Sequence, residues 1–115
     1  PAAAEVERGG WVVAQPLANP VVTDRLPLSL GKGEREAIAL SQELGACLLM
    51  DDPVARREAR GMGIALINSL DILDEAKSRG LVSNVKATLN DFIRSGFRLK
   101  RTLYDAKLRE ADEQE

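Results

Sequence analysis

A chain of 115 residues, 44% hydrophobic and 30% charged, is the size of one ordinary globular domain. Its formal net charge of −2 supplies no overall positive field for nucleic acid, and the absence of histidine excludes His-based triads, histidine zinc ligands and histidine pH switches. The single cysteine, Cys47, leaves no internal disulfide and no cysteine-built metal site, which points to a reducing compartment, the cytoplasm.

In chain order, Ala2 to Arg8 are mostly good helix formers stopped by Gly9-Gly10. With no initiator methionine, the chain reads as part of a longer protein. It shows no signal peptide and no apolar run long enough to span a membrane. Trp11-Val12-Val13-Ala14 reads as a short buried strand. Gln15 to Leu30 carries Pro16, Pro20 and Pro27 and no helical period, so a loop with at most a short extended piece is expected. Gly33 to Leu44 is helical, with Ala37, Ile38, Leu40 and Leu44 on one face and Gly45 as the stop. Ala46-Cys47-Leu48-Leu49-Met50 reads as a strand covered on both faces, with Cys47 packed inside it. After Asp51-Asp52, Pro53 opens a helix with Ala55, Ala59 and Met62 on one face, ended by Gly61 and Gly63.

Ile64-Ala65-Leu66-Ile67 is a third apolar strand, and Asn68 or Ser69 caps a helix through Arg79. Two more helices follow. One runs from about Asn84 to Ser95 with Val85, Leu89, Phe92 and Ile93 inward, and one from about Lys100 to Arg109 with a stripe of Leu103, Tyr104 and Leu108. The tail at 110–115 is acidic and expected to fray. Alternation of strand and helix through the middle makes the class α/β with a mostly parallel sheet.

In such sheets, functional groups sit beyond the carboxyl ends of strands. Asp51 and Asp52 occupy that position after one strand, Asn68 and Ser69 after the next. Glu34 opens the helix that leads into the aspartate-bearing strand, so a short turn can bring it to the same rim. Three carboxylates gathered there repel unless a cation sits among them. Oxygen donors without His or Cys select Mg²⁺ or Mn²⁺, chemistry that suits phosphodiester hydrolysis. Arg56, Arg57 and Arg60 begin within one turn of the acids and can clamp substrate phosphates. Each residue also has an ordinary structural reading: Asp52, Glu34 and Asn68-Ser69 as helix caps, the arginines as a solvated face. Gly31-Lys32-Gly33 lacks P-loop spacing and reads as a turn.

Three strings together resemble a known family. Leu30-Gly31-Lys32-Gly33-Glu34-Arg35-Glu36-Ala37-Ile38 resembles the glycine-Glu-x-x-Ala-Ile segment of PIN-like nucleases. Leu48-Leu49-Met50-Asp51-Asp52, followed by Ala55-Arg56, is similar to their acidic strand end. Gly63 to Ser69, then Leu73, Ala76-Lys77 and Gly80-Leu81, is similar to the downstream strand–turn–helix. The resemblance spans roughly Ala3 to Leu99 and lies closest to a bacterial and archaeal PIN-like family.

It implies a single PIN-like α/β domain over 1–115, N-terminally incomplete, with a short parallel sheet flanked by helices. The family's first strand and its essential aspartate fall before Pro1, so the chain by itself is expected to be inactive. It also implies a Mg²⁺- or Mn²⁺-dependent ribonuclease of toxin type, with RNA as substrate and an antitoxin protein as partner. Glu34, Asp52 and Asp51 are its metal-binding and catalytic acids, and Arg56, Arg60 and Ser69 its substrate contacts. Loss of a sheet strand implies a homodimer that covers the exposed edge. A degenerate, non-catalytic interaction module is the competing expectation.

Overall fold

The structure, a computed structural model, describes residues 9–111. The helix expected at 2–8 lies outside them, as does most of the 110–115 tail. The chain forms two compact units, one ending at Ile67 and the other beginning at Asn68.

The first unit contains a 3₁₀ helix (Pro20–Arg25), α1 (Lys32–Leu44), β1 (Leu48–Leu49), α2 (Pro53–Gly61) and β2 (Leu66–Ile67). The strands pair in parallel, Leu48 opposite Leu66 and Leu49 opposite Ile67. Backbone bonds from Leu48 N–H to Ala65 O (2.8 Å) and from Met50 N–H to Ile67 O (2.9 Å) close the ladder. Parallel strands require a crossover, and α2 supplies it while packing on β2. The core forms where Leu26, Leu30, Ile38, Leu48, Ala55 and Ala59 meet. Alanines at 55 and 59, both fully buried, let α2 approach closely.

Gly45 ends α1 in the left-handed conformation (φ 62°). It lets Ala46 N–H reach Ser41 O at 3.0 Å and satisfy an orphan carbonyl before β1 begins.

Several expectations in this unit need correction. Trp11–Ala14 is not a strand, and Trp11 stands 72% exposed, because nothing among the described residues pairs with its backbone as a ladder. The Gln15–Leu30 segment holds the 3₁₀ helix, begun by Pro20 at its first position, rather than an extended piece. The apolar runs 46–50 and 64–67 shrink to two paired residues each. β1 is covered on one face only: Leu48 is buried and Leu49 exposed, since adjacent strand residues point oppositely. Cys47 is likewise exposed, in the turn before β1, and Leu44 faces solvent at the end of α1.

The second unit is helical: α3 (Ser69–Ser78), α4 (Val85–Arg94) and α5 (Arg101–Glu110). Its own core joins Leu70, Leu73, Val85, Leu89 and Leu108, with Phe92, Phe97, Leu99 and Tyr104 against it. Ile93, expected inward, is exposed, as are Ile72 and Leu103. The buried stripe of α4 is narrow: Val85 and Leu89 are buried and Phe92 half-buried. Gly96 (φ 101°) turns the chain after α4, and Phe97 N–H bonds Phe92 O at 2.9 Å. The two phenylalanine rings meet at 5.6 Å between centroids, the apolar contact that accompanies this helix end.

Candidate active site

The carboxyl end of β1 runs through Met50 into Asp51 and Asp52, both exposed. Asp52 is the N-cap of α2: its extended backbone (φ −64°, ψ 125°) lets Oδ2 accept the Ala55 N–H at 2.8 Å, with Pro53 following. Glu34 plays a parallel part at the start of α1. From the third helical position its Oε1 accepts the Gly31 N–H at 2.9 Å, half of a capping box whose other half a glycine has no side chain to make. Both carboxylates therefore satisfy orphan helix amides with one oxygen. The opposite oxygens, Glu34 Oε2 and Asp52 Oδ1, take no part in the caps.

Arg56 is half-buried, and its Nη1 donates to Met50 O (2.8 Å) and to Ile67 O (3.3 Å). A single guanidinium thus ties together the backbones that leave β1 and β2, satisfying carbonyls at the sheet's carboxyl end. It stands directly under the Asp51–Asp52 turn. Arg57 and Arg60 are exposed, Arg60 in the last turn of α2 where a cation complements the helix dipole. Arg35, next to Glu34, has a buried Nε with no hydrogen-bond acceptor among the described residues.

The expected convergence of three acids is not formed. Among the described residues no group of three His, Cys, Asp or Glu side chains lies close enough to hold a metal ion. What the strand end offers is an adjacent pair of exposed carboxylates. Magnesium is often held through one or two carboxylates, with waters and substrate phosphates completing the shell, so this donor chemistry fits a hard divalent ion of that kind and not an all-protein cage.

Ser69 belongs to the second unit. It is the first residue of α3, half-buried, beside Asn68, whose Oδ1 accepts Asp71 N–H (2.8 Å) while Asp71 Oδ2 accepts Asn68 N–H (2.9 Å). This reciprocal box accounts for the sequence pattern at that helix start.

Three further arrangements were not read from the sequence. Glu43 receives Ala18 N–H (3.0 Å) and Asn19 N–H (2.8 Å), fixing the entry to the 3₁₀ helix from α1. Lys107, its side chain 14% exposed, bridges Asp74 (2.8 Å) and Glu110 (3.3 Å). The Asp74 hydrogen bond holds the Lys107 ammonium above the ordinary lysine pKa, against a smaller opposing effect of burial. A cavity of about 530 Å³ between α4 and α5 is the third. Only the spacing of its lining residues, at helical intervals on each helix, was available as a signal.

A family model described as PIN domain matches residues 1–113. Neither the curated proteins nor the solved structures compared contain a match to the chain.

Proposed function

The chain belongs to the PIN domain family, and from that premise we propose a cytoplasmic, metal-dependent ribonuclease that hydrolyses RNA phosphodiesters at the carboxyl end of β1. Nuclease chemistry is the family-level reading. The observation that carries it to this end of the molecule is the exposed Asp51–Asp52 pair, set at the turn where parallel α/β sheets carry their chemistry. α1 returns along β1 through Gly45, Ala46 and Cys47, a topology that directs the helix start bearing Glu34 toward the same end.

In this assignment Asp52 and Asp51 are the carboxylates that would hold Mg²⁺ or Mn²⁺ together with waters and substrate phosphate, and Glu34 is the further acid that the topology directs toward the same end. When bound, such an ion supplies an activated water and neutralises charge on the phosphate. Asp52 and Glu34 are kept in place by their amide bonds, each of which uses one carboxylate oxygen. Arg56 is a positioning residue: by bonding Met50 O it holds the turn from which both aspartates project. Arg60, exposed one turn on, supplies positive charge for substrate phosphate, with Arg56 nearer the strand ends. The resemblance alone carries the toxin role, an antitoxin partner and pairing of two copies. A compact monomer in solution scattering at high concentration would remove the pairing.

Labelled RNA incubated with the full-length protein and Mn²⁺ tests the assignment through Glu34→Gln. Glutamine keeps the acceptor for Gly31 N–H and loses only the charge. Cleavage should fall on the order of 100-fold with the fold intact; equal rates would remove Glu34 from the mechanism.

A second reading, a non-catalytic interaction module, draws on the caps made by Glu34 and Asp52 and on the two-acid count. Calorimetry on the full-length protein separates the two: heat on Mn²⁺ addition that Asp52→Asn abolishes favours the nuclease, and no heat favours the module.

A further inference from the structure

The second unit carries a feature that helix packing does not require. Lys86, Asn90 and Ile93 recur at i, i+4 and i+7 along α4, and Arg101, Tyr104 and Asp105 along α5; between them lies the cavity of about 530 Å³. That volume is within the range of small-ligand sites. Leu99 and Leu108 contribute apolar surface to its wall.

Its polar groups are arranged around that surface. Tyr104 Oη donates to Asn90 Oδ1 at 2.9 Å, which uses the amide's acceptor and leaves its NH₂ to donate elsewhere. The Arg101 guanidinium lies over the Tyr104 ring, 5.6 Å from its centroid, while Nε reaches Asp105 Oδ1 at 3.2 Å. This ion pair is weakly held, because the Arg101 side chain is 84% exposed.

The cavity wall carries two cations, Lys86 and Arg101, and one acid, Asp105. The chain as a whole is at −2, yet residues 94–101 hold Arg94, Arg98, Lys100 and Arg101 with no acid among them. Arg94 pairs with Asp91. Arg98 and Lys100 are exposed and make no ion pair among the described residues. An aromatic edge, an amide donor and a basic rim around an apolar floor match a nucleotide: ring against Tyr104 and Ile93, base edge toward Asn90, phosphates toward Lys86, Arg101 and the 94–101 segment.

We propose that the α4–α5 cavity binds a nucleotide of single-stranded RNA, a substrate-holding site separate from the acids after β1. The proposal rests on the RNA substrate of the preceding section, and binding without cleavage tells the two apart. Fluorescence anisotropy of a labelled single-stranded RNA is measured with the whole chain in EDTA, where no metal-dependent hydrolysis occurs. The double variant Lys86→Ala, Arg101→Ala should weaken binding on the order of tenfold and flatten log Kd against log[salt] by about 0.7 per phosphate contact removed. Ile93→Glu, at an exposed position, places a negative charge at the cavity and should weaken binding at least as much. Circular dichroism melts report whether each variant stays folded.

Arg79→Ala, which removes an exposed cation that does not line the cavity, should bind RNA like the unsubstituted chain; that result, together with loss in the cavity variants, supports the site even if no cleavage is ever detected. Unchanged affinity and salt slope in folded cavity variants overturns the proposal while leaving the nuclease assignment untouched. An acidic peptide that binds with the same variant dependence when RNA does not bind also overturns it.

Discussion

The two units use their charged residues in different ways. In the first, charges are committed to backbone: Glu34 to Gly31 N–H, Glu43 to Ala18 and Asn19 N–H, Asp52 to Ala55 N–H, and Arg56 to the carbonyls of Met50 and Ile67. In the second, side chains pair mainly with one another: Arg79 with Glu75, Arg94 with Asp91, Arg101 with Asp105, and Lys107 with Asp74 and Glu110. A charge bonded to an otherwise orphaned amide or carbonyl has a backbone partner that suffers when it leaves; an exposed pair returns both members to water. Two strands of two residues each cannot hold the first unit together by their ladder, so side chains reinforce the backbone there. The helices of the second unit satisfy their own backbones and leave the charges available for other work.

The largest effects test the cores that both units share in principle. Ile38→Ala and Leu89→Ala each empty a fully buried site, and about 2–5 kcal/mol of stability should be lost in denaturant melts. Hydrogen exchange would show whether each loss stays within its own unit, and protection lost equally in both would show that the units unfold as one. Next comes Arg56→Leu, which keeps bulk but strips Met50 O of its donor while Ile67 O keeps the Met50 N–H; about 1–3 kcal/mol is expected, and a loss under about 0.5 kcal/mol would deny Arg56 its part in holding the strand ends.

Asp52→Ala should cost about 1 kcal/mol through the lost cap, and Asp52→Asn close to nothing, because asparagine caps as well as aspartate. Lys107 gives the pH-dependent case. Its folded pKa is raised above 10.5, so its contribution is complete below that value and is lost as pH climbs through the higher folded one. The stability difference between the unsubstituted chain and Lys107→Met should stay constant from pH 7 to about 9.5 and shrink only in stronger alkali; a difference that already shrinks between pH 7 and 9 would contradict the Asp74 bridge. Smallest of all, Arg79→Ala breaks an exposed i,i+4 pair and should change stability by less than about 0.5 kcal/mol.

Every helix from Lys32 onward was legible in the sequence because apolar periodicity and end signals agreed: proline or an Asx residue at several starts, glycine after several ends. The strands were legible as apolar runs but not in length, since pairing needs a partner and only two residues of each run find one. Trp11–Ala14 shows the same limit in its extreme form, an apolar run with no ladder to join. Exposure of Cys47 and Leu49 depends on which face of the short sheet is covered, information held in tertiary packing and not in local pattern. At the site, Asp51 and Asp52 were found from position alone, and their ordinary capping reading was found beside it. The third acid was expected from electrostatics and topology, and no described cluster contains it. Arg56 was read as a substrate clamp because its spacing from the acids is visible in the sequence, whereas its bonds to Met50 and Ile67 join residues that only the fold brings near. The α4–α5 cavity stayed hidden because its lining mixes polar and apolar residues at helical intervals along each helix, a pattern that reads as ordinary amphipathicity.

The most direct test of the central claim, that the acids after β1 are the hydrolytic centre, is the rate of RNA cleavage by the full-length protein carrying Asp52→Asn in the presence of Mn²⁺, set beside its thermal midpoint. An unchanged midpoint with a rate down on the order of 100-fold is the predicted result. An unchanged midpoint with an unchanged rate would leave Asp52 as a helix cap and nothing more.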